Sequence, residues 1–268
     1  MAWRWPNGVE MRFALGRVLM GDGIEVGPGH HPFHVAGDAT RVRYVDRYEP
    51  ERNRELFPEL ADPTFPPPDV IADLDGDKLR AFGDASIDFV IASHVLEHLA
   101  DPIGLLDDVH RVLRPGGTVL VLLPDRRFTF DSVRPGTSLE HVVADFAAAP
   151  GAVDDAHVEA YLREMGTWDD SASEEQKAAH IAVDRDRSFH VHCWTEDEFP
   201  AVLGHALDEL KHRWELVDVS FVQDYPDSEE FGYVMRKVPL HVDVDIAANF
   251  RRVWHLLRVE TAWRAGAV

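Results

Sequence analysis

Residues 21–33 read Gly-Asp-Gly-Ile-Glu-Val-Gly-Pro-Gly-His-His-Pro-Phe. A short run, Ile24 to Val26, suits a strand and leads into two glycines on either side of Pro28, so the backbone can turn tightly and lie close to a ligand. The loop lacks the lysine and Ser/Thr of a phosphate-binding P-loop and the third glycine of the dinucleotide fingerprint. Glu25 would repel phosphates and suits a ligand with a cationic or hydroxyl-rich part. The turn therefore predicts either a ligand site or a plain connection between a strand and a helix.

Composition limits the class of protein. The 268 residues suit one large α/β domain, and we expect a single domain over residues 1–268. No apolar run approaches the roughly 20 residues that a membrane-crossing helix needs, and no apolar core of a signal peptide follows the N-terminus. The one cysteine, Cys193, suits a reducing compartment, so we predict a cytoplasmic protein. The net charge of −21 disfavours nucleic acid as a partner and favours a small neutral substrate.

Later apolar runs also end in acidic residues. The run at Val42–Val45 closes on Asp46, and the run at Val70–Ala72 closes on Asp73. In an open parallel sheet, ligands bind beyond the carboxyl ends of the strands, where an acidic residue can take ribose hydroxyls. Asp46 is thus either a second ligand residue or a turn residue, and its spacing alone does not separate the two.

A fourth run, Ile87 to Ser93, leads into His94-Val95-Leu96-Glu97-His98-Leu99. Asp101 and Pro102 then have the residue types of an N-cap and a first helical position. The helix is predicted to stop at Pro115-Gly116-Gly117, and the unbroken apolar run Thr118–Leu123 is typical of a strand buried on both faces of a parallel sheet.

Several of these stretches together resemble the class I S-adenosylmethionine-dependent methyltransferases. They are Glu25-Val26-Gly27-Pro28-Gly29, Asp46, Asp73-Leu74, Ser93-His94-Val95-Leu96-Glu97-His98 and Leu113-Arg114-Pro115-Gly116-Gly117, within residues 20–127. The resemblance implies an α/β fold with a Rossmann-like, seven-stranded, mostly parallel sheet flanked by helices, and S-adenosylmethionine at its carboxyl rim. It also implies cofactor-binding residues: Glu25, Gly27, Pro28 and Gly29 at the methionine and ribose end, Asp46 on the ribose, Asp73 and Leu74 on adenine, and Ser93 and His94 along the floor.

Residues 128–200 change in composition, and we expect them to form a substrate-binding insertion or lid after the fifth strand. Thr137 and Glu140 have the spacing of a capping box, so Glu140 is read as structural. His141 and Asp145 lie four apart on that predicted helix, where a carboxylate can orient an imidazole as a general base. A solvated surface pair is the competing interpretation.

Two further histidines follow an acidic, broken stretch, residues 151–187, that is predicted to be a mobile lid with Tyr161 and Trp168 available to close over a ligand. His190 and His192 alternate with apolar residues, which predicts one face of a strand and contact with substrate or a second choice of base. They could also begin a metal site, with Asp125 or Asp131 as a third ligand, but the sequence fixes no set of metal ligands. A magnesium ion that activates the acceptor is kept as an alternative.

The last third returns to regular patterns. Residues 214–222 and 232–238 are predicted as an antiparallel closing pair of strands, and Thr195 as the cap of an intervening helix. A C-terminal amphipathic helix is indicated by the apolar residues Ile246, Phe250, Val253, Trp254 and Leu257. This face could pack on the core or form a homodimer, and core packing is favoured.

The resulting hypothesis is methyl transfer to a hydroxyl of a small polar acceptor, a sugar or oligosaccharide first. The chain is also similar to methyltransferases that act on bacterial saccharides and secondary metabolites. An alcohol needs its proton removed, and His141 with Asp145 is the first candidate base, before His190 or His192. The alternatives are a nitrogen or carboxyl acceptor in a secondary metabolite, and a non-catalytic protein of the same fold that serves assembly.

Overall fold

A computed structural model describes residues 9–35, 40–60, 64–187, 189–224, 228–243 and 245–264. In these ranges seven strands form one sheet. They are β1 (Asp22–Val26), β2 (Arg41–Asp46), β3 (Val70–Ile71), β4 (Ile87–Ser93), β5 (Leu113–Pro124), β6 (Trp214–Ser220) and β7 (Glu230–Lys237). The spatial order is β3-β2-β1-β4-β5-β7-β6, and all neighbours are parallel except β7, which runs antiparallel to both β5 and β6. The predicted fold and the antiparallel closing pair are confirmed.

Helices flank the sheet and fill the connections. They are α1 (Val9–Gly16), α2 (Pro50–Leu56), α3 (Pro102–Val112), α4 (Leu139–Ala148), α5 (Asp155–Glu164), α6 (Glu174–Arg187), α7 (Pro200–Asp208) and α8 (Ile246–Arg264). None of the helices in the described ranges is both long enough and apolar enough to cross a membrane.

The central strands are apolar throughout because both of their faces are buried. Along β5, Val119, Val121 and Leu123 join the larger core cluster, while Leu120 and Leu122 point to a second cluster on the opposite face. This is the period-two geometry of a strand covered by helices on both sides. The second cluster includes Met11 and Leu15 of α1. The loosely helical apolar pattern of residues 8–20 predicts a helix that covers a sheet edge, but α1 packs instead over the central strands.

The segment after β5 is more ordered than its acidic composition predicts. Helices α5 and α6 enclose a small core of Val158, Leu162, Ile181, Phe189 and Val191. Tyr161 packs against Phe189, with ring centroids 4.8 Å apart, and so stabilises this segment. Residues 151–187 thus contribute to a small core, contrary to the prediction that they lie outside any core, whereas a role as a mobile lid or insertion stays a prediction.

Two predicted caps in this half lie elsewhere. The Ser138 hydroxyl, one residue after Thr137, accepts a hydrogen bond from the backbone N–H of His141 and begins α4, whereas the Thr137 hydroxyl accepts the N–H of Cys193. The backbone N–H of Thr195 donates to the Glu198 side chain within a turn. Helix α7 begins only at Pro200.

The strand predicted at residues 188–194 does not form in the part of it that the structure describes, 189–194; Ser188 lies outside the described residues. Trp194 alone makes an isolated bridge, to Asp125. The buried Arg134 guanidinium donates to the backbone carbonyls of His190 (2.8 Å) and Val191 (3.2 Å). These carbonyls have a side-chain partner, so no neighbouring strand is needed to satisfy them.

The C-terminal helix α8 packs on the core. Phe250 is buried in the larger cluster, and Ile246, Val253 and Trp254 pack against it. The side chain of Leu257, on the same predicted face, lies outside the described residues. Core packing, the favoured interpretation, accounts for the described part of this face, and a homodimer stays a prediction.

Candidate active site

A cavity of about 350 Å³ lies at the carboxyl rim of the parallel strands. This volume is within the usual range for small-molecule sites, roughly 300–1,000 Å³. The predicted cofactor residues that line it are Gly27, Gly29, Asp46, Asp73, Leu74 and His94. Because the strands run in the order β3-β2-β1-β4, Asp73 marks one end of the cavity and His94 the other.

The glycine turn after β1 has the backbone geometry that its sequence indicates. Gly27 and Gly29 have positive φ angles of 57° and 54°, which other L-residues adopt at a cost. A Cβ atom on Gly27 would lie 2.9 Å from the side chain of Val95, whereas one on Gly29 would meet nothing within 4 Å. Gly27 therefore keeps the turn close to the stretch after β4. Pro28 lies between them and is not part of the cavity lining described above.

Glu25 has a different position from the one expected of a ligand residue. Its carboxylate is 1% exposed and accepts the backbone N–H of Phe33 at 2.8 and 3.1 Å, and Glu25 is not among the lining residues. Burial raises the pKa of Glu25 to about 7. Glu25 at the start of the glycine loop therefore bonds Phe33 at its end, and this contact stabilises the path of the loop. Ser93 also ends its strand outside the lining.

Two carboxylates end the neighbouring strands β2 and β3. Asp46 accepts the N–H of Tyr48 at 3.3 Å and is further held by the Asn53 side chain, while burial raises its pKa. Asp73 lies 3.0 Å from the Arg47 Nε atom and accepts the N–H of Asp75. Such oriented oxygens at the end of a parallel sheet can accept hydrogen bonds from ligand hydroxyl or amino groups.

His94, at the other end, belongs to a partly buried ionic network. Its Nε2 atom lies 2.6 Å from Glu230 at the start of β7, and Glu230 also accepts two hydrogen bonds from Arg12 of α1, at 2.9 and 2.8 Å. Burial opposes a proton on His94, but the hydrogen bond to Glu230 and the charge of Glu97 raise its pKa above the ordinary value. His94 itself has φ 54°, so the network holds a residue in a conformation rare outside glycine.

His98 also lines the cavity, and the sequence reasoning did not assign it a role. Its Nδ1 atom lies 2.9 Å from the Phe189 carbonyl, which can only accept, so Nδ1 carries the proton and Nε2 keeps its lone pair. Burial lowers the pKa of His98 and keeps the ring neutral. The sequence did offer one indication of its role. His98 lies in the stretch that follows β4, which also contains His94, a residue that the resemblance assigns to the cofactor site.

His190 lies beside His98. The two ring centroids are 4.8 Å apart in an edge-on arrangement, and His190 Nδ1 lies 2.5 Å from Asp131. Burial alone would raise the pKa of Asp131, but hydrogen bonds from His190 and Arg134 hold it below its usual value. A histidine oriented by a carboxylate, as predicted for His141, is therefore present here next to a cavity residue.

The other three predicted catalytic residues form a separate group. His141 Nε2 lies 3.3 Å from Asp145 across one turn of α4, and His192 Nε2 lies 3.8 Å from the same carboxylate. None of the three is among the residues that line the cavity. The expectation that His190 and His192 share a face is wrong: His190 contacts Asp131 and His98, whereas His192 lies beside Asp145.

Two groups among the described residues have ligand atoms close enough to share a metal ion, within 4.8 Å of one another. One is Glu97, His98 and His190, and the other is His141, Asp145 and His157.

Comparison with known proteins gives a family match over most of the chain. A family profile described as a methyltransferase domain matches residues 11–206. A probable S-adenosylmethionine-dependent methyltransferase from Mycolicibacterium smegmatis (strain ATCC 700084 / mc(2)155) is 49% identical over 43 residues, 16% of this chain and 17% of the relative. The alignment thus covers less than one fifth of that relative.

Solved structures are similar at lower identity. An Aquifex aeolicus S-adenosylmethionine-dependent methyltransferase is 14% identical with a TM-score of 0.42, covering 83% of this chain and 84% of that one. A Burkholderia thailandensis 1,6-didemethyltoxoflavin-N1-methyltransferase, solved with 1,6-didemethyltoxoflavin and S-adenosylhomocysteine, is 16% identical with a TM-score of 0.45, covering 87% and 77%.

Proposed function

This chain belongs to the class I S-adenosylmethionine-dependent methyltransferases, and on that premise we propose that it methylates a hydroxyl oxygen of a small polar acceptor, a sugar or oligosaccharide first. S-adenosylmethionine supplies an electrophilic methyl group when it is bound. The residues of this chain have to bind the cofactor, hold the acceptor hydroxyl in line with that methyl group and remove the hydroxyl proton.

The cavity suits the cofactor. The turn at Gly27 and Gly29 leaves bare backbone at the end of β1, and Asp46 offers carboxylate oxygens for ribose hydroxyls at the end of β2. Asp73 and the Leu74 backbone lie one strand further, where adenine is expected. This order leaves the β4 end, with His94 and His98, for the methionine part and the reacting methyl group.

The observation that carries the proposed oxygen chemistry is the tautomer of His98. Because Nδ1 donates to the Phe189 carbonyl, the lone pair on Nε2 is the proton acceptor of a neutral ring in the wall of the cavity. An alcohol is a weak nucleophile until its proton is taken, whereas a neutral amine or a carboxylate needs no such base. His98 therefore replaces His141 as our first candidate base.

His190 is our positioning residue for that base. Asp131 fixes its ring, and its contact with His98 excludes other orientations of the two imidazoles. The carbonyl of Phe189, the residue before His190, accepts the hydrogen bond from His98. Phe189 also lines the cavity, together with Phe57 and Phe65. Aromatic faces beside hydrogen-bonding carboxylates suit a polyhydroxylated acceptor, whose ring faces are apolar and whose edges are polar.

The test measures transfer of a labelled methyl group from S-adenosylmethionine to matched saccharide, phenol, amine and carboxylate acceptors, with the methylated position assigned by mass spectrometry. We expect saccharide products. The alternatives predict otherwise: transfer to amines or carboxylates alone would reject the oxygen chemistry, and no calorimetric binding of S-adenosylmethionine would identify a non-catalytic protein.

The base is tested by His98→Gln, with His255→Gln on the exposed face of α8 as the matched control. We expect kcat to fall by roughly 10²–10⁴ in His98→Gln, the usual contribution of a general base, with S-adenosylmethionine affinity nearly unchanged. Equal kcat in the two variants would exclude His98. A chelator should be included, because the magnesium alternative predicts loss of activity and recovery on adding the ion.

A further inference from the structure

We propose that His141, Asp145, His157 and His192 form a binding site for a divalent transition ion, zinc first, that joins three elements of the segment after β5. His141 and Asp145 lie on α4, His157 lies on α5 and His192 lies in the irregular stretch before α7. The site lies apart from the cavity residues, and its existence does not depend on the acceptor or on the proposed base.

Three of these residues have ligand atoms placed as around one metal ion: those of His141, Asp145 and His157 all lie within 4.8 Å of one another, and His192 approaches the same carboxylate. The Asp145 carboxylate lies 3.3 Å from His141 Nε2, 3.3 Å from His157 Nε2 and 3.8 Å from His192 Nε2. Ligand atoms about 2.0–2.2 Å from a tetrahedral zinc ion are about 3.3–3.6 Å apart. Asp145 Oδ2 and His157 Nε2 are buried and have no hydrogen-bond partner.

His192 gives an independent reason to expect a ligand. Its side chain is 0% exposed, and neither ring nitrogen makes a hydrogen bond of normal geometry. The backbone of Ala100 can serve only one of the two nitrogens, and a metal ion would satisfy the other, which faces Asp145.

The surroundings orient the ligands. Asp154, the N-cap of α5, lies 2.8 Å from His157 Nδ1, which leaves Nε2 directed at Asp145. A carboxylate that holds the second nitrogen of a ligating histidine is a common feature of metal sites. His141 is half exposed and provides a route for the ion from solvent. Three imidazoles and one carboxylate favour zinc over magnesium, which prefers an octahedron of oxygens.

Such an ion would fix one wall of the cavity. The connection between α4 and α5 contributes Ala152 and Val153 to the cavity lining, and the ligands lie on both sides of that connection. With His192 as a fourth protein ligand beside the other three, the site would be of the closed, structural kind. We therefore expect zinc to stabilise this segment and not to take part in methyl transfer.

The experiment uses the full chain, stripped with a chelator and titrated with zinc against a chromophoric competitor. We expect one zinc per chain, and the visible spectrum of a tetrahedral ion when cobalt replaces it. His141→Gln and His157→Gln should each weaken zinc affinity by roughly tenfold or more, with loss of the cobalt spectrum. Zinc should raise the Tm of the wild-type chain but not of these variants.

Two controls make the result specific. His255→Gln should leave zinc affinity unchanged, because this residue is exposed on α8. His98→Gln tests the other cluster, with Glu97 and His190, and should also leave it unchanged. No zinc binding by the wild-type chain, or weakening by His98→Gln but not by His141→Gln, would overturn the proposal. His141 is half exposed, so its variant should fold even if a change at buried His192 does not.

Discussion

Replacing Glu230 with glutamine removes one buried charge and keeps the shape of the side chain. Glu230 is 7% exposed and receives two hydrogen bonds from Arg12 and one from His94. Burial alone would raise its pKa, yet these partners lower it from 4.5 to about 2. A shift of this size, at about 1.4 kcal/mol per pKa unit, corresponds to about 3 kcal/mol of stability. We expect Glu230→Gln to lower the free energy of unfolding by about this amount.

The pH dependence follows from the direction of each shift. The folded pKa of Glu230 lies below its unfolded value, so its contribution is complete above pH 4.5 and is lost as the pH falls towards 2. His94 has a raised pKa, so its contribution is complete below 6.5 and is lost as the pH rises through the folded value. The difference between wild type and Glu230→Gln should therefore be largest between pH 4.5 and 6.5.

Urea unfolding at a series of pH values measures this difference, and NMR titration of the His94 ring should show its pKa fall in the variant. Glu55→Gln is the control, because the Arg52–Glu55 pair has side chains 46% and 67% exposed. Exposed pairs contribute at most about 1 kcal/mol. The reasoning is refuted if Glu230→Gln lowers the free energy of unfolding no more than Glu55→Gln does. It is also refuted if the difference in unfolding free energy between wild type and Glu230→Gln does not change with pH.

Three further outcomes are expected. Gly27→Ala should weaken S-adenosylmethionine binding by roughly tenfold in calorimetry, since a side chain at positive φ costs about 1–2 kcal/mol, while Gly83→Ala, in open space, should not. If His98 is the base, kcat should rise with pH through a value below 6.5 and then stay level, because burial lowers its pKa; a step above that value would contradict this. Arg134→Met should lower the free energy of unfolding by roughly 3–5 kcal/mol in urea, as expected when one partner of a buried ion pair is removed, and Arg163→Met, at an exposed ion pair, should lower it much less.

The parallel half of the sheet was predictable because its signals are local. Strands buried on both faces require unbroken apolar runs, and parallel strands bring their final residues to one rim. Asp46, Asp73 and the glycines at 27 and 29 could therefore be placed in one cavity before their contacts were known. The N-cap of α4 was missed by one residue, since Thr137 and Ser138 are both suitable caps.

The remaining features depend on partners far away in the chain. The Nδ1 proton of His98 is fixed by a carbonyl 91 residues later, and Glu230 reaches His94 across 136 residues. His190 and His192 have different partners, and Arg134, more than 50 positions earlier, donates to the backbone carbonyls of this segment. Periodicity describes only a residue's immediate neighbours, so it could not distinguish these arrangements.

The pairing of β7 with β5 has a consequence for synthesis on the ribosome. Residues 11–206, the whole of the family match, are translated before β6 and β7 exist. Until then β5 presents Thr118 to Pro124 as an open apolar edge, the kind of surface that nascent chains aggregate through and chaperones cover. Arg12 likewise cannot bond Glu230 until the ribosome has translated the chain 218 positions further. The pairing of that edge and the bond between Glu230 and His94 therefore form together, so a truncated translation product would both expose an unpaired apolar strand and leave His94 without Glu230.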